Sequence, residues 1–439
     1  MKNITNEEID NLLTDFNNSY KHISNLEEYI VNLCAQARTA SYGLAQSSAA
    51  ERNHILKILS DKLCAPDAIK KIIEKNNTDV SNAKDNNITD TMVDRLRLNE
   101  ERIKNIAAAL VKIINLPDPL NKGDNWIRPN GMSIKRISVP LGVVGMIYES
   151  RPNVTVDAAA LCIKSGNAVV LRGGKEAINS NLILADLIRE SLKEAGFDKN
   201  CVQIIEDITR ESANVLMKQH GKIDVLIPRG NAPLIKAVTE NSRIPVIETG
   251  VGNCHIYVDY DADFDIAANI IVRSKFRASV CNAVETVLVS EKIYKEFLPV
   301  MKKRLDELNT EIRGCAKTVE VLGCKSATDE DYYTEYNDFI AAVKVVADVA
   351  EAIAHINKHN TKHSEAIITN DMKNAKEFQS KVDAVAVYVN VSTRYTDGEE
   401  FGFGAEIGIS TSKLHARGPV GLTELTTVKY LIDGDNLVR

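Results

Sequence analysis

Two cysteines occupy segments in which a thiol can act as a nucleophile. Cys281 follows a stretch with three basic side chains between residues 273 and 277, and it precedes the apolar run Val284–Val289. Nearby positive charge lowers the pKa of a thiol and raises the fraction of thiolate, which is the nucleophilic form. Cys254 is the alternative, although it leads directly into an apolar run. Most isolated cysteines are inert buried thiols, so these residues alone leave the nucleophile undecided.

A carboxylate, Glu248, ends the apolar run Val246–Ile247 and is followed by glycines at 250 and 252. Ligands of parallel α/β proteins bind beyond the carboxyl ends of the strands, where we expect this residue to lie. Glu248 can therefore act as a general acid or base. A carboxylate that only caps local backbone explains the residue equally well.

A glycine pair flanked by two cations follows the apolar run Ala168–Leu171, in the order Arg172, Gly173, Gly174 and Lys175. Glycines let the backbone approach a ligand closely, and cations at the start of a helix suit phosphate groups. The segment is not the G-x-G-x-x-G dinucleotide fingerprint. A plain turn between a strand and a helix, with solvated charges, is equally compatible.

Polar side chains in two further segments can contact an anionic substrate. Arg151 can hold a carboxylate or phosphate, and the Asn153 amide can donate to an oxyanion. Pro152 and Asn153 are better explained, on these residues alone, as the start and cap of a helix. His415 and Arg417 follow a glycine-rich stretch and can also bind an anion, although a lone histidine is more often structural.

The elements that must position these residues follow an α/β pattern. Residues 6–116 show helical periodicity and capping-box spacings such as Ser48-x-x-Glu51. Residues 123–139 predict a hairpin around the turn Pro129-Asn-Gly131. From residue 140 to 395, apolar runs alternate with helical stretches and exceed one sheet, which predicts two parallel α/β domains. The runs are Val143–Ile147, Ala168–Leu171, Val202–Ile205, Val225–Ile227, Val246–Ile247, Ile256–Val258, Val284–Val289, Val343–Val346, Ala366–Ile368 and Val385–Val389.

Composition excludes several classes of protein. The chain has 439 residues, so we expect at least two domains, and its 44% apolar and 26% charged residues are typical of a soluble globular protein. A net charge of −6 argues against nucleic-acid binding. No apolar stretch approaches the roughly 18 residues of a membrane span. Residues 1–30 lack the apolar centre of a signal peptide, so we expect a cytoplasmic protein.

The eight cysteines are scattered along the chain without a Cys-x-x-Cys pair. This distribution predicts neither a disulfide framework nor a zinc site, and we expect no metal.

Together and in this order, the segments resemble the aldehyde dehydrogenase superfamily, in particular the branch that reduces L-glutamate 5-phosphate. The resemblance covers essentially the whole chain. The matching segments are Val139–Thr155, Gly166–Lys175, Val246–His255, Ser279–Ala283, Gly404–Ser410 and Lys413–Pro419.

The resemblance implies an aldehyde dehydrogenase-like α/β fold with two Rossmann-like domains and a small β oligomerisation element. Residues 1–122 and 140–252 would form the NADPH-binding domain, and 253–395 the catalytic domain. The hairpin 123–139 and the C-terminal segment 396–439 would form the oligomerisation element.

The resemblance also implies site residues. A glutamate precedes the nucleophile of the superfamily by an interval similar to the 33 residues between Glu248 and Cys281, which favours Cys281 over Cys254. Arg172 matches a cofactor-binding lysine, and Lys175 replaces an acidic residue that binds the cofactor ribose. A lysine attracts the 2′-phosphate that an acidic residue repels, so NADPH is expected. The remaining cofactor residues would be Gly173, Gly174 and Glu335, the last resembling a glutamate that holds the nicotinamide ribose.

In the implied reaction, Cys281 attacks L-glutamate 5-phosphate, phosphate leaves and a thioester forms. Reduction of the thioester gives L-glutamate 5-semialdehyde, a step of proline biosynthesis. Asn153 would donate to the oxyanion, and Arg151, His415 and Arg417 would bind the substrate. The role of Glu248 stays open between tuning Cys281 and moving a proton. The resemblance implies a homo-oligomer and suggests a functional association with glutamate 5-kinase, without nucleic-acid or membrane partners.

Two alternatives predict different behaviour. An NAD-linked dehydrogenase that oxidises a semialdehyde would carry an acidic residue where this chain has Lys175. A non-catalytic scaffold that keeps only the fold would have an inert Cys281.

Overall fold

The computed structural model of the protein describes residues 25–85 and 90–438. The described chain divides after Ile247 and again after Val420. One compact unit comprises the described residues up to Ile247 and from Gly421 on, and the other is Glu248–Val420. We call them the first and second unit. The part of the predicted helical region that precedes residue 25 lies outside the described residues.

Helices of the first unit cover most of the region in which the sequence predicts them. Ser48 caps the second helix through a reciprocal capping box with Glu51, as its spacing predicts. The helices are α1 Leu26–Ala45, α2 Ala49–Cys64, α3 Pro66–Asp85, α4 Asp90–Leu96, α5 Glu100–Asn115, α6 Pro152–Lys164, α7 Ile178–Glu194, α8 Arg210–Met217 and α9 Ala232–Asn241.

The first unit holds two sheets with different surroundings. Its strands are β1 Gly123–Ile127, β2 Ser133–Pro140, β3 Val143–Tyr148, β4 Ala168–Arg172, β5 Val202–Ile204, β6 Val225–Arg229 and, from the C-terminal segment, β16 Thr426–Asp433. Strands β3 to β6 form a parallel sheet in the order β5-β4-β3-β6, which is the order of a mononucleotide-binding half of a Rossmann fold. Strand β3 is buried along its whole length, as expected for a sheet covered on both faces by helices.

The hairpin predicted at 123–139 is confirmed. Strands β1 and β2 pair antiparallel, and β16 pairs antiparallel with the other side of β2 to complete a three-stranded sheet. All five residues of β1 are exposed, and so are the last seven of β16.

The second unit is built on one sheet of seven parallel strands. The remaining strands are β7 Cys254–Val258, β8 Val284–Ser290, β9 Glu311–Gly314, β10 Lys325–Ser326, β11 Ile340–Val346, β12 Ser364–Ile368, β13 Ala386–Val389, β14 Ile409–Ser410 and β15 Gly418–Pro419. The sheet order is β10-β9-β11-β8-β7-β12-β13, and β14 and β15 form a separate antiparallel pair. The helices are α10 Phe264–Lys275, α11 Tyr294–Asp306, α12 Ala316–Leu322, α13 Val349–His359 and α14 Met372–Lys381.

The predicted fold class, α/β with two parallel sheets, is confirmed. One predicted strand is wrong, because Val246 forms only a single bridge to Leu226 beside β6. Four short strands were missed. Strand β10 at the edge of the second unit's sheet and β9 beside it carry polar side chains, and β14 and β15 have only two residues each. Residues 396–420 belong to the second unit and 421–438 to the first. The NADPH-binding, catalytic and oligomerisation roles that the sequence analysis gives to these domains stay predictions.

Across residues 25–85 and 90–438, no helix has the length and apolar content needed to cross a membrane.

Candidate active site

Several predicted site residues lie at one edge of the second unit's sheet. Its strands are parallel, so their first residues share an edge, which we call the amino edge. Cys281 lies just before β8, Gly252 just before β7, and Glu335 in the segment before β11. Because β11, β8 and β7 are adjacent in the sheet, these three segments are neighbours. The candidate residues Cys281 and Glu335 thus lie at the edge opposite to the carboxyl ends of the strands.

The nucleophile turn, residues 276–283, connects α10 to β8 and carries Cys281 half-buried. Its next residue, Asn282, is 5% exposed and is clamped by a short segment further along the chain. The Asn282 amide donates to the carbonyl oxygens of Arg394, at 3.2 Å, and Thr396, at 3.0 Å. The Thr393 hydroxyl donates to the Asn282 carbonyl at 2.8 Å. These bonds hold the backbone on the carboxyl side of Cys281.

Gly252 packs directly against the backbone of Cys281. A Cβ atom built on Gly252 would lie 1.4 Å from the carbonyl oxygen of Cys281, so no side chain fits there. The Gly252 N–H donates to the carboxylate of Glu335 at 2.8 Å. One glycine thus connects the predicted nucleophile with the predicted ribose-binding glutamate.

The strand-like segment that follows Glu248 is held by the glycine-rich tail. Thr249 forms an antiparallel bridge with Ser410, and the Gly250 N–H donates to the Ile409 carbonyl at 2.7 Å. Glu248 itself is half-buried. Parts of three motifs predicted separately from the sequence are therefore in contact in the second unit: 248–255, 279–283 and 404–410.

A buried ion pair spans the two ends of the nucleophile turn. Lys275, the last residue of α10, lies 2.6 Å from Glu285 on β8, and both side chains are 0% exposed. Burial lowers the pKa of Lys275 and raises that of Glu285 to about 8, while the attraction within the pair opposes both shifts.

Cys254, the alternative nucleophile, is completely buried at the start of β7. Its thiol donates to the Cys281 carbonyl at 3.3 Å. Burial raises its pKa well above the usual value for a thiol, so little thiolate is present at neutral pH. Two cysteines elsewhere are better placed to react than their sequence context suggests. Cys64 is exposed, and although burial raises the pKa of Cys315, hydrogen bonds from Thr318 and Val345 lower it overall.

The first unit offers a second group of predicted residues at the carboxyl edge of its parallel sheet. Strand order reverses between β3 and β6, and ligands of such sheets bind at this switch point. The segment 149–153 follows β3, and 230–231 follows β6. The Glu149 carboxylate accepts from the Asn231 N–H at 2.9 Å, which ties the two segments together.

Arg151 is the N-cap residue of α6 and Pro152 occupies its first turn, so the helix-start interpretation of this segment holds for the backbone. Asn153, in the first turn, is half-buried, and its amide nitrogen donates to Asp157 at 2.9 Å.

The glycine pair after β4 is required by protein packing. A Cβ on Gly173 would lie 2.3 Å from the Asn181 amide nitrogen, and one on Gly174 would lie 2.7 Å from the Ser150 hydroxyl. Arg172 donates to the carbonyl oxygens of Ile208 and Thr209, at 3.1 and 2.7 Å. Lys175 is exposed.

The sequence analysis suggests a phosphate at the N-terminus of α7, but backbone N–H groups there already have a hydrogen-bond acceptor within the protein. The Asp79 carboxylate accepts from the N–H groups of Asn179 and Ser180, at 3.2 and 2.8 Å, and from the Ser180 hydroxyl at 2.6 Å. Burial raises the pKa of Asp79, and these hydrogen bonds oppose the shift. A phosphate at this turn would therefore contact Lys175 and not these N–H groups.

Of the two tail residues predicted to bind substrate, Arg417 forms an ion pair with Asp383, which also binds two lysines. Arg417 donates to Asp383 at 2.8 Å, and Lys413 and Lys362 lie 2.9 and 3.3 Å from the same carboxylate. Hydrogen bonds from Lys413 and its neighbours lower the pKa of Asp383. His415 is exposed and has a φ of 63°, in the left-handed region.

Sequence reasoning missed the residues that hold the candidate site residues or their segments in place: Asp79, Asp157, Asp383, Arg394 and Asn282. Only Asn282 had a local signal, its place beside Cys281. Among residues 25–85 and 90–438, no group of three or more histidine, cysteine, aspartate or glutamate side chains is placed to hold a metal ion.

Comparisons with known proteins agree with this architecture. The aldehyde dehydrogenase family model matches residues 21–321 and 334–431. Gamma-glutamyl phosphate reductase from Clostridium perfringens (strain SM101 / Type A) is 55% identical over 407 residues, covering 92% of this chain and 98% of the relative. The protein of the same name from Carboxydothermus hydrogenoformans is 53% identical over 413 residues, covering 93% of this chain and 99% of the relative.

The crystal structure of gamma-glutamyl phosphate reductase from Thermotoga maritima superposes with a TM-score of 0.91 at 46% identity, covering 93% of this chain and 99% of that one. The fold is therefore aldehyde dehydrogenase-like, as predicted. The chain belongs to the aldehyde dehydrogenase family, in the branch formed by the gamma-glutamyl phosphate reductases.

Proposed function

We propose that the protein reduces L-glutamate 5-phosphate with NADPH to L-glutamate 5-semialdehyde and phosphate, a step of proline biosynthesis. The observation that carries the proposal is the setting of Cys281. Its turn is held by Asn282, and its backbone contacts Gly252, which binds Glu335. The names of the relatives support the choice of substrate.

In the first step, the Cys281 thiolate attacks the acyl carbon of the substrate. The carbon–sulfur bond forms as the bond to the phosphate oxygen breaks, and phosphate leaves with that electron pair. The resulting thioester accepts hydride more readily than a carboxylate, which is the benefit of covalent catalysis here. The Cys281 N–H and the Asn153 amide donate to the oxygen that becomes negative.

When bound, NADPH supplies the hydride that reduces the thioester. Lys175 suits the cofactor's 2′-phosphate because it is exposed. Glu335 suits the nicotinamide ribose because its carboxylate binds the N–H of Gly252, the residue that packs against the Cys281 backbone. Arg172 holds the loop at 208–209, and Gly173 and Gly174 keep the turn close to the sheet. We assign these five residues to the cofactor on those grounds.

Arg151, His415 and Arg417 are our candidates for the phosphate and α-carboxylate of the substrate. Glu248 either tunes Cys281 or takes part in proton transfer when the thiohemiacetal collapses. Alanine substitution of each residue tests these roles, because loss of a substrate contact raises KM, whereas loss of a group needed only in the transition state lowers kcat. Unchanged kinetics in a variant would remove its residue from the site.

The three-stranded sheet is our candidate for the oligomerisation element. Trp126 and Tyr430 stack edge to face on it at 6.4 Å, and Ile127 and Ile432 are 72% and 58% exposed. Apolar side chains exposed on a sheet with open edges favour burial against a second copy. Sedimentation of an Ile127→Asp variant tests this: a lower mass than wild type supports the assignment, and an unchanged mass contradicts it.

The reaction is tested in reverse, with L-glutamate 5-semialdehyde, phosphate and an oxidised nicotinamide. We expect phosphate-dependent formation of NADPH from NADP+ and much slower formation of NADH from NAD+. Turnover that does not need phosphate, or that prefers NAD+, would instead support the NAD-linked semialdehyde dehydrogenase.

A further inference from the structure

The amide of Asn153 is held by a second side chain of the same helix. Its nitrogen donates to the Asp157 carboxylate at 2.9 Å, one helical turn further along α6. Residues four apart on a helix lie on the same face, so this bond needs no distortion of the backbone. It ties the Asn153 side chain to a fixed point on the helix.

The surroundings of Asp157 are unusual for a carboxylate. The residue is half-buried, and in the described part of the chain Asn153 is the one group that donates to it. No cation within the described ranges forms an ion pair with it. Burial raises its pKa to about 6, and the hydrogen bond from Asn153 opposes that rise. A carboxylate that loses part of its hydration without gaining a cation does not stabilise the fold, so stability alone does not explain this residue.

The chemistry of the pair decides which end of the amide is presented. An ionised carboxylate only accepts hydrogen bonds, so it must face the nitrogen of the amide and not its oxygen. That nitrogen carries two hydrogens, and Asp157 takes one of them. The other remains available as a donor. If the amide were free to rotate by half a turn, it would sometimes present its oxygen, which repels an oxyanion.

We propose that Asp157 is a positioning residue that orients the Asn153 amide so that one N–H is presented to the oxyanion of the reaction. The inference rests on the proposed function, because it requires Asn153 to donate to that oxyanion. It adds to that function a residue that never touches the substrate.

A double-mutant cycle tests the proposal. We would measure kcat and KM for wild type, Asn153→Ala, Asp157→Ala and the double variant, with circular dichroism and melting temperature as checks of folding. Loss of one oxyanion donor lowers kcat about 10²–10³-fold. We expect Asp157→Ala to lower kcat with little change in KM, and the double variant to be no slower than Asn153→Ala.

Two further variants keep the test valid if Asp157→Ala folds poorly. Asp157→Asn can still accept through its amide oxygen and should retain most of the activity, whereas Asp157→Leu fills the space but cannot accept. Additive losses in the double variant, or equal activity of the Asn and Leu variants, would overturn the proposal. So would an unaffected Asn153→Ala variant. Failure of the proposed function is seen separately, as activity that survives loss of Cys281.

Discussion

Cys281 differs from Cys254 in access, although the two residues are in contact. The Cys254 thiol is completely buried and donates to the Cys281 carbonyl, so it helps to hold the backbone of the nucleophile turn. Cys281 is half-buried at the amino edge, so part of the residue is exposed to solvent. The two cysteines therefore have separate roles in our account: one reacts, and the other holds backbone.

We propose that Lys175 sets a preference for NADPH over NADH. We expect Lys175→Asp to weaken use of NADPH about 10–100-fold, since a hydrogen bond to a charged group contributes roughly 1.5–3 kcal/mol. Use of NADH should be retained or improved. Lys199→Asp, at another exposed lysine of the first unit, is the matched control. The assignment fails if kcat/KM for NADPH is the same in both variants.

The nucleophile turn depends on hydrogen bonds from residues more than 100 positions further along the chain. Asn282→Ala removes the two bonds to the carbonyls of Arg394 and Thr396. Leaving buried polar groups unsatisfied costs about 1–3 kcal/mol, so we expect urea unfolding at lower concentration. We also expect a lower kcat, because the backbone at Cys281 is less well held.

The control for this variant is Asn214→Ala, which removes an exposed amide of α8. It should change neither stability nor activity by a measurable amount. Wild-type kcat in Asn282→Ala would mean that the clamp stabilises the fold without positioning the nucleophile.

Local patterns predicted most elements and identified candidate segments that the fold brings into contact. The glycines around Glu248, the polar turn at Cys281 and the alternation of strands are readable because each reflects a short-range requirement. Val246–Ile247 was mistaken for a strand since a two-residue apolar run does not specify how many partners it pairs with. The occupation of the α7 N-terminus by Asp79 was not predictable, because the two segments lie about 100 residues apart in sequence.

The placement of site residues at the amino edge of the second unit's sheet was also missed. Periodicity identifies a strand without saying which of its ends carries the chemistry. The carboxyl-edge rule applies to the first unit, where strand order reverses between β3 and β6. In the second unit, Cys281 and Glu335 both precede their strands.

The pH dependence of the protein's free energy of unfolding should include a contribution from a buried neutral histidine. Burial lowers the pKa of His355 from 6.5 to about 2, so below pH 6.5 the unfolded chain binds a proton that the folded chain does not. This residue therefore stabilises the fold less as the pH falls below 6.5, by about 1.4 kcal/mol per pH unit. Glu285 and Glu365, whose pKa values burial raises, act in the opposite direction.

The comparison of wild type with His355→Gln isolates this contribution. We expect the free energy of unfolding of wild type, relative to that of the variant, to decrease between pH 6.5 and 5. His220→Gln, at an exposed histidine, should leave the pH dependence unchanged. Parallel curves for wild type and His355→Gln would show that His355 is protonated in the folded protein.

The central claim is that the acyl group passes through the sulfur of Cys281. Incubation with L-glutamate 5-semialdehyde and NADP+, without phosphate, should form NADPH once per site and leave the acyl group on the enzyme. Peptide mass analysis should then find the thioester on the peptide that contains Cys281, and addition of phosphate should remove it. Cys281→Ser should form neither product. An acyl group on any other cysteine, or steady turnover by Cys281→Ser, would contradict the account.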